Sequence, residues 1–222
     1  MIEIYAVKLN TNLNEVTFNE FITHIDMFKQ EYIRKFKNNI DADRSLLGNI
    51  LVRTVICQKL KIKNYKIKFA INKYGKPILN NNIKLYFNIS HSGKWVICAI
   101  DTKTIGVDVE KIQNLDITIA KQICTKNELN ILYNVKEDKQ LEIFFKLWTL
   151  KESYVKAIGE GLNKSLDSFD VWLQEGIGNY NLKTYLIDKN YILSVCSLNN
   201  DFPKEINILN QNNLYDTFRK FI

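Results

Sequence analysis

The chain has 222 residues, 46% of them apolar, which is enough to build a sizeable core and too many for a disordered chain. Its net charge of +7 favours acidic or phosphorylated partners without choosing among nucleic acid, a phosphorylated small molecule and an acidic protein. The longest apolar runs, such as WVICAI at 95–100, fall far short of the roughly 20 residues that span a bilayer, and MIEIYAVKLN at the start has no export-signal pattern.

Cys57, Cys98, Cys124 and Cys196 are scattered in apolar surroundings with no CxxC pair, so they read as buried thiols in a reducing cytoplasm, and zinc is not expected. In chain order, residues 1–9 alternate as a strand. Residues 18–37 carry Phe21, Ile25, Phe28, Tyr32 and Phe36 at helical spacing among Lys29, Arg34, Lys35 and Lys37, which predicts a surface helix with a basic face. DADRSLLGNILVRTVICQKL predicts a second helix capped by Asp41 or Asp43 and buried along Leu46, Leu47, Ile50, Leu51, Val55 and Ile56. YKIKFAIN, the turn KYGKP, KLYFNISH and KWVICAI read as paired strands.

KTIGVDVEK predicts another strand, and residues 117–133 are helical again, with a new turn opening at Thr125. A long helix from about Leu141 to Ile158 stops at Gly159 and Gly161. SFDVWLQ, YNLKTYLI and YILSVCSL predict three antiparallel strands. The order implies an α+β protein of two halves, 1–103 and 104–222, packed as one body.

On the strand at 105–111, Asp108 and Glu110 fall two residues apart and share a face, while Val107 and Val109 point the other way. Paired carboxylates suit a hard divalent cation, although a polar edge strand shows the same pattern. Trp148, Glu152 and Lys156 form one stripe of the long helix at i, i+4 and i+8. Glu152 and Lys156 would make an ordinary exposed salt bridge, except that Phe144, Phe145, Leu147, Leu150, Tyr154 and Val155 leave that helix little solvent face. NISHSG at 88–93 puts Ser90 and His91 at a strand end, in a turn with Gly93 that offers N–H groups, a hydroxyl and an imidazole to an oxyanion. Lys76, on the Pro-fixed turn, can serve as a phosphate hand.

Taken together, FNISHSGKWVICAI, IGVDVEKI and FFKLWTLKESYVKAIGEGL, in this order and separation, resemble the signature set of 4'-phosphopantetheinyl transferases of the surfactin-synthetase-activating (Sfp) type. DADRSLLGNILVR and YGKP extend the similarity over nearly the whole chain. The resemblance implies two similar α+β halves related by a pseudo-twofold axis, with coenzyme A in the cleft between them. It implies transfer of the 4'-phosphopantetheine arm of coenzyme A to a serine of an apo acyl or peptidyl carrier protein, releasing adenosine 3',5'-bisphosphate. Asp108, Glu110 and Glu152 match the family's ligands for Mg2+, with Mn2+ as an alternative, and Glu152 is also the family's usual general base. Lys156 and His91 match residues that assist at the phosphates. Gly75, Lys76, Ser90 and His91 match contacts to coenzyme A phosphates and adenine, while Arg44 and Ser45, with Lys29, match the neighbourhood of its 3'-phosphate. Tyr32 and Asp43 stand where relatives often carry Lys and His. The segment 112–128 corresponds to the carrier-contacting region, although its Leu115, Ile117 and Ile119 serve equally well as core. The length implies a monomer that accepts several carriers.

Two other readings compete. A Mg2+-dependent nuclease suits a basic protein with Asp, Glu and Lys at a metal, but its usual pattern is a distant Asp followed by Glu-x-Lys on one strand, whereas here Lys111 directly follows Glu110. A non-catalytic module that binds carriers or nucleic acid would not depend on Glu152. The transferase reading therefore expects neither nucleic acid nor membrane as a partner.

Overall fold

A computed structural model of the chain describes residues 1–80, 83–161, 164–172 and 176–222. β1 (Glu3–Lys8) is followed by α1 (Glu15–Ile22), whose N-cap Asn14 accepts the N–H of Thr17. α2 (Met27–Arg34) comes next, so the basic helix expected over 18–37 is two short helices. The break is held from below: Arg53 of the following helix bonds Asp26 at 2.5 Å and Asn64 at 2.9 Å, and Asn64 donates to the carbonyl of His24 at 2.7 Å. Apolar spacing runs on across the break because both pieces bury Phe21, Ile22, Ile25 and Ile33 in one core.

α3 (Asn39–Leu60) is capped by Asn38, whose side chain accepts the N–H of Ile40. Neither Asp41 nor Asp43 serves as the cap. Asp41 pairs with Arg44, and Asp43 turns inward to accept the N–H of Leu13 at 3.1 Å. The predicted buried side of α3, from Leu46 to Ile56, lies at 0–1% exposure. β2 (Phe69–Ile71) and β3 (Pro77–Leu79) form a short hairpin, and β4 (Tyr86–Ser92) pairs antiparallel with β5 (Trp95–Asp101).

β6 (Ile105–Lys111) leads through a short 3-10 turn to α4 (Lys126–Asn134), where Thr125 and Glu128 form a capping box. α5 (Glu137–Ile158) stops at Gly159, whose φ of 74° suits glycine. β7 (Gly176–Ile177), β8 (Tyr180–Asp188) and β9 (Tyr191–Ser197) complete an antiparallel sheet. The strand expected at SFDVWLQ does not form over 168–172, and its last residues, 173–174, lie outside the described residues. There the chain folds over α5 instead, with the carbonyls of Leu166 and Phe169 taken by Lys151.

β10 (Asn207–Leu209) and α6 (Gln211–Arg219) return to the first half. β10 pairs parallel with β1, and Tyr215 and Phe218 of α6 stack on Phe21 at 5.1 and 5.7 Å. In space, therefore, the second half ends before residue 207. The sheets run β10-β1-β5-β4 and β6-β9-β8-β7. Each carries one 22-residue helix on its outer face, α3 on the first and α5 on the second, which is the α+β arrangement of two similar halves. Their inner faces share a core built from Ile4, Ile97, Val107, Val109, Leu193 and Val195. Among the described residues no helix is long and apolar enough to cross a membrane.

β4 and β6 are the edges at which the sheets meet, and side chains join them. Asn88 accepts the N–H of Val107 at 2.8 Å, Ser90 that of Val109 at 3.3 Å, and Ser92 that of Lys111 at 3.1 Å. α5 lies directly on β6 at Gly106, where an added Cβ would sit 2.0 Å from the Ser153 carbonyl and 2.4 Å from the Ala157 nitrogen. Gly106→Ala should therefore lose about 3 kcal/mol, at the upper end for overpacking. Gly178→Ala, at φ 57° in open space, should lose only about 1 kcal/mol of backbone strain. Urea unfolding of both variants measures this, and equal losses would show that the α5–β6 contact yields.

Candidate active site

The seam between β4 and β6 also holds the acids. Ser90 donates to Asp108 Oδ1 at 2.9 Å and Ser92 to Glu110 Oε2 at 2.7 Å, so each hydroxyl accepts a β6 amide and donates to a β6 carboxylate. β4 runs unbroken through residue 92, which places Ser90 and His91 within the strand rather than in the turn, and Gly93 begins the bend at φ 54°. Strand alternation then sends Ser90 towards β6 and His91 to the other face of β4, from which it lines the same cleft.

α5 leans over this seam with no solvent face: from Phe144 to Gly159 only Lys146 is exposed. Trp148, Glu152 and Lys156 are half-buried along one stripe, as their spacing requires. Lys156 makes its ion pair with Asp108, at 2.6 Å, and reaches Ser90 at 3.2 Å, rather than pairing with Glu152 on its own helix. The salt bridge between neighbouring turns of α5 is thus replaced by one between the helix and β6.

One ammonium faces three acids. Burial raises the pKa of Asp108, although Lys156 and Ser90 oppose the rise. Burial, and then repulsion from Asp108, pushes Glu110 up to about 7. Burial likewise raises Glu152, with Asp108 adding to the effect. Lys156 stays charged because Asp108, Glu152 and Glu110 together outweigh the burial that would neutralise it. The site therefore lacks positive charge.

As the side chains stand, no group of three His, Cys, Asp or Glu among the described residues is gathered to hold a metal, so Asp108, Glu110 and Glu152 do not form a closed ligand cluster. Their chemistry nevertheless fits a hard cation. Asp108 Oδ2 is buried without a hydrogen-bond partner, and a buried carboxylate oxygen left unpaired in an acid-rich site is what a divalent ion satisfies.

A cleft of about 580 Å3 opens above these groups between the halves. Lys29, Ser45, Gly75, Ser90 and His91 line it beside the acids, so most of the expected substrate contacts do converge. Burial lowers the pKa of Lys29, whose ammonium stands 4.4 Å over the ring of Tyr32. Burial also lowers His91, with Arg44, Lys156 and Lys29 adding repulsion. Two expected contacts lie elsewhere. Arg44 bonds Asp41 and the carbonyl of Gly93, and Lys76 lines a second cleft of about 460 Å3 that meets the first at Glu152 and Lys156. Asp43 also faces away, into the first core. In the segment 112–128, Leu115 and Ile117 pack against the α5 core, while Ile119 is 37% exposed.

Several supporting residues escape sequence reasoning. Ser92 and Asn88 were detectable, because N-x-S-x-S puts three small polar groups on one strand face. Lys151, beside Glu152, was not: it is fully buried, pairs with the equally buried Glu128 at 2.8 Å, and bonds the carbonyls of Leu166 and Phe169. No local pattern ties Lys151 to a partner 23 positions away on another helix.

Residues 104–203 match the model of the 4'-phosphopantetheinyl transferase superfamily, and residues 12–103 match that of the 4'-phosphopantetheinyl transferase N-terminal region. The chain is 37% identical to 4'-phosphopantetheinyl transferase Sfp of Bacillus subtilis, over 96% of this chain and 99% of that protein. It is 36% identical to 4'-phosphopantetheinyl transferase ffp of Bacillus subtilis, over 93% and 97% of the two chains. With 4'-phosphopantetheinyl transferase gsp of Aneurinibacillus migulanus it shares 41% identity over 79% of this chain and 72% of the other. Two matched regions that together run from residue 12 to residue 203, and relatives aligned almost end to end, make this chain a transferase of the 4'-phosphopantetheinyl transferase superfamily.

Proposed function

We propose that the enzyme transfers 4'-phosphopantetheine from coenzyme A to the serine of an apo acyl or peptidyl carrier protein, with Mg2+ bound, releasing adenosine 3',5'-bisphosphate. The observation that carries this reading is the trio of half-buried to buried acids with one lysine on the floor of the cleft between the halves. Asp108, Glu110 and Glu152 would hold the ion, which supplies charge neutralisation for a pyrophosphate.

The chain's own groups divide the remaining work. The serine oxygen of the carrier forms a bond to the phosphorus that carries the pantetheine arm, the bond from that phosphorus to the bridging oxygen breaks, and the bisphosphate leaves with the electron pair. Glu152, the acid on α5 that faces the cleft, takes the proton from the serine oxygen. Lys156, charged at the meeting of the two clefts, donates to the phosphates as negative charge shifts to the leaving group. Ser90 keeps Asp108 in place. The nucleophile belongs to the carrier, so the chain needs none of its own, and its four cysteines are all buried thiols. We place this monomer in the reducing cytoplasm, a reading those free thiols support.

Mass spectrometry tests the reaction directly. Apo carriers incubated with the enzyme, coenzyme A and Mg2+ should gain the mass of one phosphopantetheine arm, and a panel of carriers left unchanged by folded enzyme would reject the reading. Glu152→Gln should lower turnover by roughly 100-fold or more, the typical contribution of a general base, while coenzyme A binding stays within a few-fold. Turnover at the parent rate would remove Glu152 from the base role.

The charge deficit sets a pH dependence. Glu110 must lose its proton to bind a cation, and with its pKa near 7 it is mostly protonated at pH 6 and mostly ionised at pH 8. Mn2+ affinity, read by calorimetry without coenzyme A, should therefore be about tenfold weaker at pH 6 than at pH 8. Equal affinities at the two pH values would place Glu110 outside the cation site.

A further inference from the structure

α5 ends at Ile158, and the N–H of Gly159 turns back to the Val155 carbonyl at 3.0 Å. The other carbonyls of the last turn have no partner within the helix. Donors from the other half of the molecule take them. Lys76 Nζ, 80 residues away in sequence, lies 2.5 Å from the carbonyl of Lys156 and 3.5 Å from that of Ala157. It also reaches the Ile105 carbonyl at the start of β6, at 3.0 Å. Asn72 Nδ2 bonds the Gly159 carbonyl at 3.0 Å, while Asn72 Oδ1 accepts the N–H groups of Tyr74 and Lys76, both at 2.9 Å. The β2–β3 turn is thus folded around Asn72 and laid across the end of α5.

The ammonium of Lys76 has three N–H groups, and three carbonyls surround it. A phosphate oxygen would have to compete with these carbonyls, two of which are bound closely. Among the described residues no carboxylate lies within ion-pair distance of this lysine, so its charge is balanced by the negative end of the α5 dipole. Burial without a counter-charge lowers its pKa to about 8. Gly75 and Pro77, on either side of it, line both clefts, so the turn that Lys76 anchors walls the passage between them.

We propose that Lys76 is a positioning residue: its ammonium caps the C-terminus of α5 across the two halves and so fixes the backbone from which Lys156 reaches Asp108, instead of binding substrate phosphate. Asn72 is the second member of the same cap. The kinetic consequence rests on the transferase reading above, whereas the structural consequence does not. If Lys156 is misplaced, the phosphates lose their donor as charge develops, while the cleft wall formed by Lys29, Ser45 and Asn49 stays in place on α2 and α3.

The test uses Lys76→Met and the milder Asn72→Ala. Hydrogen exchange should show protection at the amides of residues 155–159 falling about tenfold or more in both variants. Calorimetry should find coenzyme A affinity within about threefold of the parent, while kcat falls at least about tenfold. Unchanged exchange at the end of α5 in both variants would overturn the cap. So would a Lys76→Met enzyme that loses tenfold or more in coenzyme A affinity at parental kcat, because that result describes a phosphate ligand. If the parent itself transfers nothing to carriers, the proposed function fails, and the exchange result still decides the cap.

Discussion

β4 and β6 meet as sheet edges without a backbone ladder, and the short side chains of Asn88, Ser90 and Ser92 fill the gap. An ordinary ladder would close the seam and bury its acids beyond use. Here the gap is one side chain wide, and the hydroxyls that accept the amides of Val109 and Lys111 also donate to the carboxylates of Asp108 and Glu110. Unpaired edges elsewhere invite aggregation; here the exposed N–H groups of β6 are satisfied from across the seam. The interaction that unites the two halves therefore also aims the carboxylates, and loss of either hydroxyl would disturb both at once.

Acids so placed cost stability. Burial lifts all three towards the neutral form, repulsion from Asp108 adds to the rise at Glu110 and Glu152, and the single ion pair with Lys156 leaves them under-compensated. Buried charge survives where it is paired and hydrogen-bonded, and this cluster is only partly so. The nearby Lys151–Glu128 pair shows the contrast. It is fully buried, has one charge of each sign, and its remaining donors go to carbonyls of Leu166 and Phe169. Two lysines of one helix, Lys151 and Lys156, thus carry a closed ion pair and an open one, and only the open one has use for a further cation.

Much of this was legible in the sequence, and the boundary has physical causes. Two-residue alternation placed Asp108 and Glu110 on one face, helical spacing placed Trp148, Glu152 and Lys156 on one stripe, and Gly159 marked the helix stop, because each is a local property of backbone geometry. The break between α1 and α2 was invisible because Arg53 and Asn64, far along the chain, hold it. β10 and α6 gave weak signals of their own and form through pairing with β1 and packing on Phe21. Lys76 shows the same limit, because its carbonyl partners at 105, 156 and 157 lie far along the chain. A lysine in a Pro-fixed turn resembles a free hand until the carbonyls that occupy it are known.

Three lysines around α5 then divide one problem. Lys151 fastens the middle of the helix to α4 and the 166–169 segment, Lys76 fastens its end to the first half, and Lys156 is left with its ammonium directed at the acids. A helix anchored at only one point could pivot about it and sweep Glu152 and Lys156 past the seam. Two anchors on opposite sides remove that freedom, and catalysis by charge placement tolerates little of it. Lys151 is fully buried and Lys76 half-buried, and both are bonded to backbone carbonyls, groups whose positions the fold already determines. The residues that hold the helix are thereby insulated from the charges of the site, so a substrate that changes those charges can move Lys156 without loosening α5.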